Sequence, residues 1–86
     1  MSLTASELYT LLTEAAGEPE DGHPGDAFAE TGFADLGYDS LALMETAVRI
    51  HDTTGVRIPD EQLAELHTPR AVLELVNSRL AGTGPR

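Results

Sequence analysis

No cysteine occurs anywhere in the 86 residues. A disulfide framework and a cysteine-ligated metal site are therefore both excluded. Lysine is missing too, and the first arginine is Arg49. Fifteen acidic residues face five basic ones, a net charge of −10. Such a surface repels nucleic acid, whose recognition needs clustered basic residues, and it repels anionic membrane surfaces. It attracts proteins with basic patches, fastest at low salt, although acidity also simply keeps a small domain soluble. Aromatic residues make up only 5% of the chain, so aliphatic side chains must build most of the core. No apolar run reaches membrane-spanning length, and the N-terminus carries no signal-peptide core. The expected compartment is the cytoplasm.

The length predicts one small domain, residues 1–86 with an ordered core over about 4–81. A core of that size is thin and leaves no room for a buried catalytic pocket. Four helices follow from the patterning. The first runs from about Ala5 to Ala16, with Thr4 and Glu7 at capping-box spacing, Leu8, Leu11 and Leu12 recurring at helical intervals, and Gly17 just past the end. Residues 17–39 form a long connection broken by Gly17, Pro19, Gly22, Pro24 and Gly25. Phe28, Phe33 and Leu36 are expected to pin it to the core, with a brief helical turn at Asp26–Glu30. The second helix spans Leu41 to about Thr53, with Gly55 ending it. A short third helix covers roughly Asp60–Leu66. The fourth begins with Thr68 as cap and Pro69 at its first position, and presents Val72, Leu73, Leu75, Val76 and Leu80. The fold class is all-α, a small four-helix bundle of three longer helices and one short, with a long loop between the first two.

Catalytic constellations do not emerge. His23, His51 and His67 lie in different segments, without the close helical spacing of a metal site. Paired acids such as Asp60 and Glu61 mean little on so acidic a chain. No glycine-rich phosphate loop is present, and no serine has a histidine and an acid close by in sequence.

Ser40, in the stretch LGYDSLALMET, stands out. The plain reading is an N-cap, since serine is a favoured cap. Its surroundings offer a second reading. Gly37 frees the chain to turn, Asp39 sets an acid beside the hydroxyl, and the following helix start can stabilise a phosphate attached to Ser40. Projected at about 100° per residue, the second helix has apolar residues over nearly half its circumference. Leu43, Ala47 and Ile50 form a core-facing stripe. Leu41, Met44 and Val48, beside Glu45 and Asp52, form another. Either both stripes are buried as one broad face, or the second stays open to partners, with methionine giving adaptable contact.

Asp-Ser-Leu at residues 39–41, within LGYDSLALMET, resembles the modification motif of acyl carrier proteins, most closely those of type II aromatic polyketide synthases. VRIPDEQL (56–63) and TPRAVLELVN (68–77) follow in the matching order. The resemblance implies a four-helix bundle with a 4′-phosphopantetheine arm on Ser40. It implies installation from coenzyme A by a magnesium-dependent phosphopantetheinyl transferase, and thioester carriage of growing chains on the arm's thiol. It implies a monomeric, non-catalytic carrier that meets a ketosynthase and malonyl-transfer and tailoring enzymes. The implied partner face is Asp39, Leu41, Met44, Glu45 and Val48, with Glu61 and Glu65 added from the third helix. The end of the second helix, RIHDTTG, departs from the family's usual acidity, so the face is carried over only for the N-terminal half. Arg70 is read as structural, reaching inward to backbone carbonyls. Two alternatives stand beside this reading: an acyl carrier of fatty-acid synthesis, against which GYDSLALMET argues, and an unmodified helical interaction module whose Ser40 is only a cap.

Overall fold

The computed structural model describes residues 2–18 and 25–82. Pro19, Gly22, His23 and Pro24, singled out above, lie outside the described residues. The described chain folds as helix α1 (Ala5–Ala16), a 3₁₀ turn (Gly25–Glu30), α2 (Ser40–Thr54), α3 (Asp60–Leu63) and α4 (Pro69–Leu80), with no strand among the described residues.

Each long helix starts at a side-chain cap that accepts one of its first-turn amides. At α1 the capping box is complete: the Glu7 amide donates to Thr4 Oγ1 at 3.1 Å, and the Thr4 amide donates to Glu7 Oε1 at 2.9 Å. At α4 the Ala71 amide donates to Thr68 Oγ1, and Pro69 fills the position that needs no N–H. Gly55 ends α2 at φ 82°, a left-handed conformation that a side chain would strain. The third helix is shorter than Asp60–Leu66. It stops at Leu63, and the Glu65 and Leu66 amides donate to the Gln62 and Leu63 carbonyls, so the chain tightens into a 3₁₀-type turn before Thr68 extends it.

Leu8, Leu12, Ile50 and Val76 are almost wholly buried and join α1, α2 and α4 in one aliphatic core. The long connection is held as expected, because Phe28, Phe33 and Leu36 are all buried. Phe28 meets Tyr9 edge-on with ring centroids 5.3 Å apart. The Phe33 amide donates to the His67 carbonyl at 2.9 Å, tying the connection to the segment before α4. Asn77 clasps the N-terminal segment through two hydrogen bonds: the Leu3 amide donates to its Oδ1, and its Nδ2 donates to the Leu3 carbonyl.

Two local expectations are corrected. The buried stripe of α2 is Ala42, Thr46 and Ile50, with Leu43 and Ala47 flanking it half-buried. Thr46 can be buried because its hydroxyl donates to the Ala42 carbonyl at 2.8 Å and so is satisfied within the helix. Arg70 does not reach backbone carbonyls. Its guanidinium pairs with the Glu30 carboxylate on the 3₁₀ turn, at the surface, where a charged partner is available without desolvation.

Candidate functional site

Ser40 is the first residue of α2, and its side chain is exposed. It is not the cap. Asp39 holds that place, with extended backbone and its Oδ1 accepting the Ala42 amide at 2.9 Å. Serine and aspartate are both good caps, and here the carboxylate one residue earlier takes the bond. The Ser40 hydroxyl is thereby left clear of capping. The amides of Ser40 and Leu41 donate to no described residue, as befits the open first turn of a helix. An anionic group joined to the Ser40 oxygen would meet these two donors and the positive end of a 15-residue helix.

The approach to Ser40 is fixed from behind. Gly37 turns the chain at φ 88°, and Tyr38 sends its ring into the core while its hydroxyl donates to the Gly17 carbonyl at 2.8 Å. This bond ties the residue before Asp39 to the end of α1. Burial first, then the negative character of Tyr9 and Glu18, pushes the Tyr38 hydroxyl above the usual tyrosine pKa. It therefore stays protonated and donating at neutral pH. Its stabilising contribution is complete below the usual tyrosine pKa and is lost as pH rises from there through the raised folded value, because the unfolded chain ionises first. Tyr38 was not marked from sequence; an aromatic residue next to the one turn glycine before the motif was the available signal.

The face beside Ser40 is apolar and open. Leu41 is 62% exposed, Met44 42% and Val48 60%, and these are the large exposed hydrophobics among the described residues. The second stripe of α2 thus faces outward. Glu45, Glu61 and Glu65 are exposed as well. Two open grooves divide these residues. One, of about 550 Å³, lies between α2 and α3 and takes in Met44, Val48 and Glu61. The other, of about 240 Å³, lies where α1 ends against α2 and takes in Asp39, Leu41 and Glu45. Ser40 starts the helix that both share. Glu65 lines neither of them. The basic end of α2 is partly engaged elsewhere, since Arg49 faces Glu14 of α1 at 3.9 Å. His51 and Arg57 line the larger groove, a placement not foreseen from the sequence. Among the described residues no cluster of His, Cys, Asp and Glu could hold a metal ion, and no helix is long and apolar enough to cross a membrane.

The cap assignment makes a direct prediction. Asp39→Ala should destabilise the fold by about 0.5–2 kcal/mol. That corresponds to a fall in melting temperature of about 4–8 °C per kcal/mol for a domain of this size. Ser40→Ala should melt near wild type. Thermal melts followed by circular dichroism compare the two, and equal losses would return the cap to Ser40.

Comparison with known proteins agrees with this geometry. The sequence model of the family described as "Phosphopantetheine attachment site" matches residues 6–76. The actinorhodin polyketide synthase acyl carrier protein of Streptomyces coelicolor is 46% identical over 79 residues, covering 92% of each chain. The oxytetracycline polyketide synthase acyl carrier protein of Streptomyces rimosus is 45% identical over 83 residues, covering 96% of this chain and 87% of that one. The structure of the actinorhodin holo acyl carrier protein from S. coelicolor superposes with a TM-score of 0.82 at 43% identity, over 98% of both chains. By family match, by identity and by fold, the chain belongs to the phosphopantetheine attachment-site family, among the acyl carrier proteins of type II polyketide synthases.

Proposed function

We propose that Ser40 is the attachment point of the 4′-phosphopantetheine that this family carries, and that the face of α2 beside it receives the enzymes that act on the cargo. The observation that carries this reading is the exposed hydroxyl at the first turn of α2, freed from capping by Asp39 and followed at once by the exposed Leu41, Met44 and Val48. The protein is a carrier rather than a catalyst. When bound, the group supplies the terminal thiol that the chain itself lacks, for holding acyl chains as thioesters. The residues fit it: a reachable oxygen for the phosphodiester, two amides near it that donate to no described residue, and a helix end that favours negative charge.

The growing polyketide is then presented by a rigid post. Buried Tyr38 and the Asp39 cap fix where α2 begins, so the position of the Ser40 oxygen is set by the core. Partner enzymes of a polyketide synthase are the coarse class of binders. The finer assignment is a phosphopantetheinyl transferase, a ketosynthase, and malonyl-transfer and tailoring enzymes, meeting a monomer in the cytoplasm. Asp39 would help position the transferase and its metal-bound coenzyme A. The exposed apolar trio would give contact, and Glu45, Glu61 and Glu65 would draw basic surfaces. Our reading treats residues 1–86 as one carrier domain.

Electrostatic docking should show in kinetics. Binding to a ketosynthase should weaken as salt rises from low to physiological strength, chiefly through slower association. Glu45→Lys should weaken it further while leaving the melting temperature nearly unchanged, because Glu45 is exposed. Stopped-flow association rates at several salt concentrations measure both effects. Rates indifferent to salt and to Glu45→Lys would remove the electrostatic part of the docking.

A further inference from the structure

The larger groove has a cationic end that the carrier reading does not use. Five basic residues occur in the whole chain. Three of them are engaged by other groups: Arg49 faces Glu14, Arg70 pairs with Glu30, and Arg79 donates to the Arg57 carbonyl at 2.6 Å and to Gln62 Oε1 at 2.8 Å. Arg57 differs. Its backbone carbonyl is held by Arg79, but its guanidinium forms no ion pair or hydrogen bond with any described residue. It lines the groove between α2 and α3 together with His51.

The groove runs beside α2 from Met44 to His51, and Ser40 lies one turn before it. At 1.5 Å per residue, Ser40 and His51 are about 16 Å apart along the helix. Pantetheine places about thirteen covalent bonds between phosphorus and sulphur, which at roughly 1.2 Å of extension per bond spans about 16 Å. An acyl group on the sulphur adds a few ångströms more. The far end of a carried acyl unit can therefore reach the His51–Arg57 corner.

We propose that His51 and Arg57 form a carboxylate-binding corner that holds the free carboxylate of a dicarboxylic acyl unit, of the malonyl class, carried on Ser40. The guanidinium offers a forked pair of donors that matches a carboxylate, and the imidazole offers an N–H in either protonation state. The same groove carries Asp60 and Glu61 on the α3 side. The lining bases come from α2 and from the segment after it and the lining acids from α3, while Asp52 of α2 faces the His51 Nδ1 at 3.9 Å. A carboxylate is drawn to one wall and repelled from the other, which fixes its orientation. A monocarboxylic unit such as acetyl has no charge for the corner to hold, so a carrier loaded for extension is distinguished from one loaded with a neutral chain.

The inference rests on Ser40 as the attachment point, and its test separates the two. Isotope-labelled protein is loaded with malonyl- or acetyl-phosphopantetheine from the corresponding coenzyme A thioesters, and loading at Ser40 is verified by mass. Nuclear magnetic resonance then compares the His51 ring, the Arg57 Nε–H and the Ile58 amide. Malonyl-specific shifts should appear at all three, fade at high salt and shrink at His51 and Ile58 in Arg57→Gln, with a melting temperature matching wild type. At the strength of an exposed ion pair, Arg57→Gln should cut the docked population about two- to fivefold. His51→Asn should reduce the shifts at Arg57 in part. Identical spectra for malonyl and acetyl forms, or malonyl-specific shifts undiminished in Arg57→Gln, would overturn the corner while leaving Ser40 as the carrier site. Failure to load Ser40 at all would remove both readings.

Discussion

Ile50→Asp should leave the chain largely unfolded, whereas Val48→Asp, two residues earlier on the same helix, should melt close to wild type. Ile50 is 1% exposed and Val48 is 60% exposed. An aspartate at 50 would set a carboxylate among Leu8, Leu12 and Val76, where the described core offers no cation. An unpaired buried carboxyl costs several kcal/mol even when it takes up a proton and becomes neutral. Typical stability of 0.05–0.15 kcal/mol per residue gives a chain of this length roughly 4–13 kcal/mol in all. The substitution therefore consumes most of what holds the fold. At position 48 water still reaches the new charge, and the loss is confined to an exposed apolar contact. The functional effect should be reversed. Val48→Asp should slow phosphopantetheine loading and ketosynthase processing by about tenfold, the consequence of losing some 1.4 kcal/mol of interface contact. Thermal melts and loading rates on both variants decide it. Equal destabilisation would mean a single buried face on α2, and would remove Leu41, Met44 and Val48 from the partner surface.

Ser40→Ala should abolish loading altogether without unfolding the chain. The attachment reading rests on this one hydroxyl: the chain has no cysteine, and Ser40 is exposed as the first residue of α2, in the Asp-Ser-Leu motif. Asp39 carries the cap, so the variant loses no capping bond, and alanine is an excellent helix former at the position. A folded protein that cannot be modified separates chemistry from stability in a single substitution. Residual loading of a folded Ser40→Ala protein would place the arm elsewhere.

Much of this was legible in the chain because the signals were local. Thr4 with Glu7, and Thr68 with Pro69, name two helix starts outright, and both stand where the spacing put them. The outward stripe of α2 was visible as a period in Leu41, Met44 and Val48, but only packing could decide that it faces water. Other features needed the tertiary structure. Adjacent Asp39 and Ser40 are both good caps, and the backbone conformation at 39 decides between them. Thr46 looks polar and is buried, because its hydroxyl bonds back to the preceding turn and hides from hydropathy. Arg70 chose Glu30, forty residues away in sequence. The His51–Arg57 corner likewise joins a helix to the segment after it, and no periodicity links the two.

The central claim, one phosphopantetheine on Ser40, is tested most directly by intact mass. The folded protein is incubated with coenzyme A, magnesium and a broad-specificity phosphopantetheinyl transferase, and fragmentation then locates any added group. The account predicts a gain of a single phosphopantetheine, placed on Ser40, and no gain for Ser40→Ala. An unchanged mass for the folded wild-type chain across several transferases, or an added group on any other residue, would contradict it.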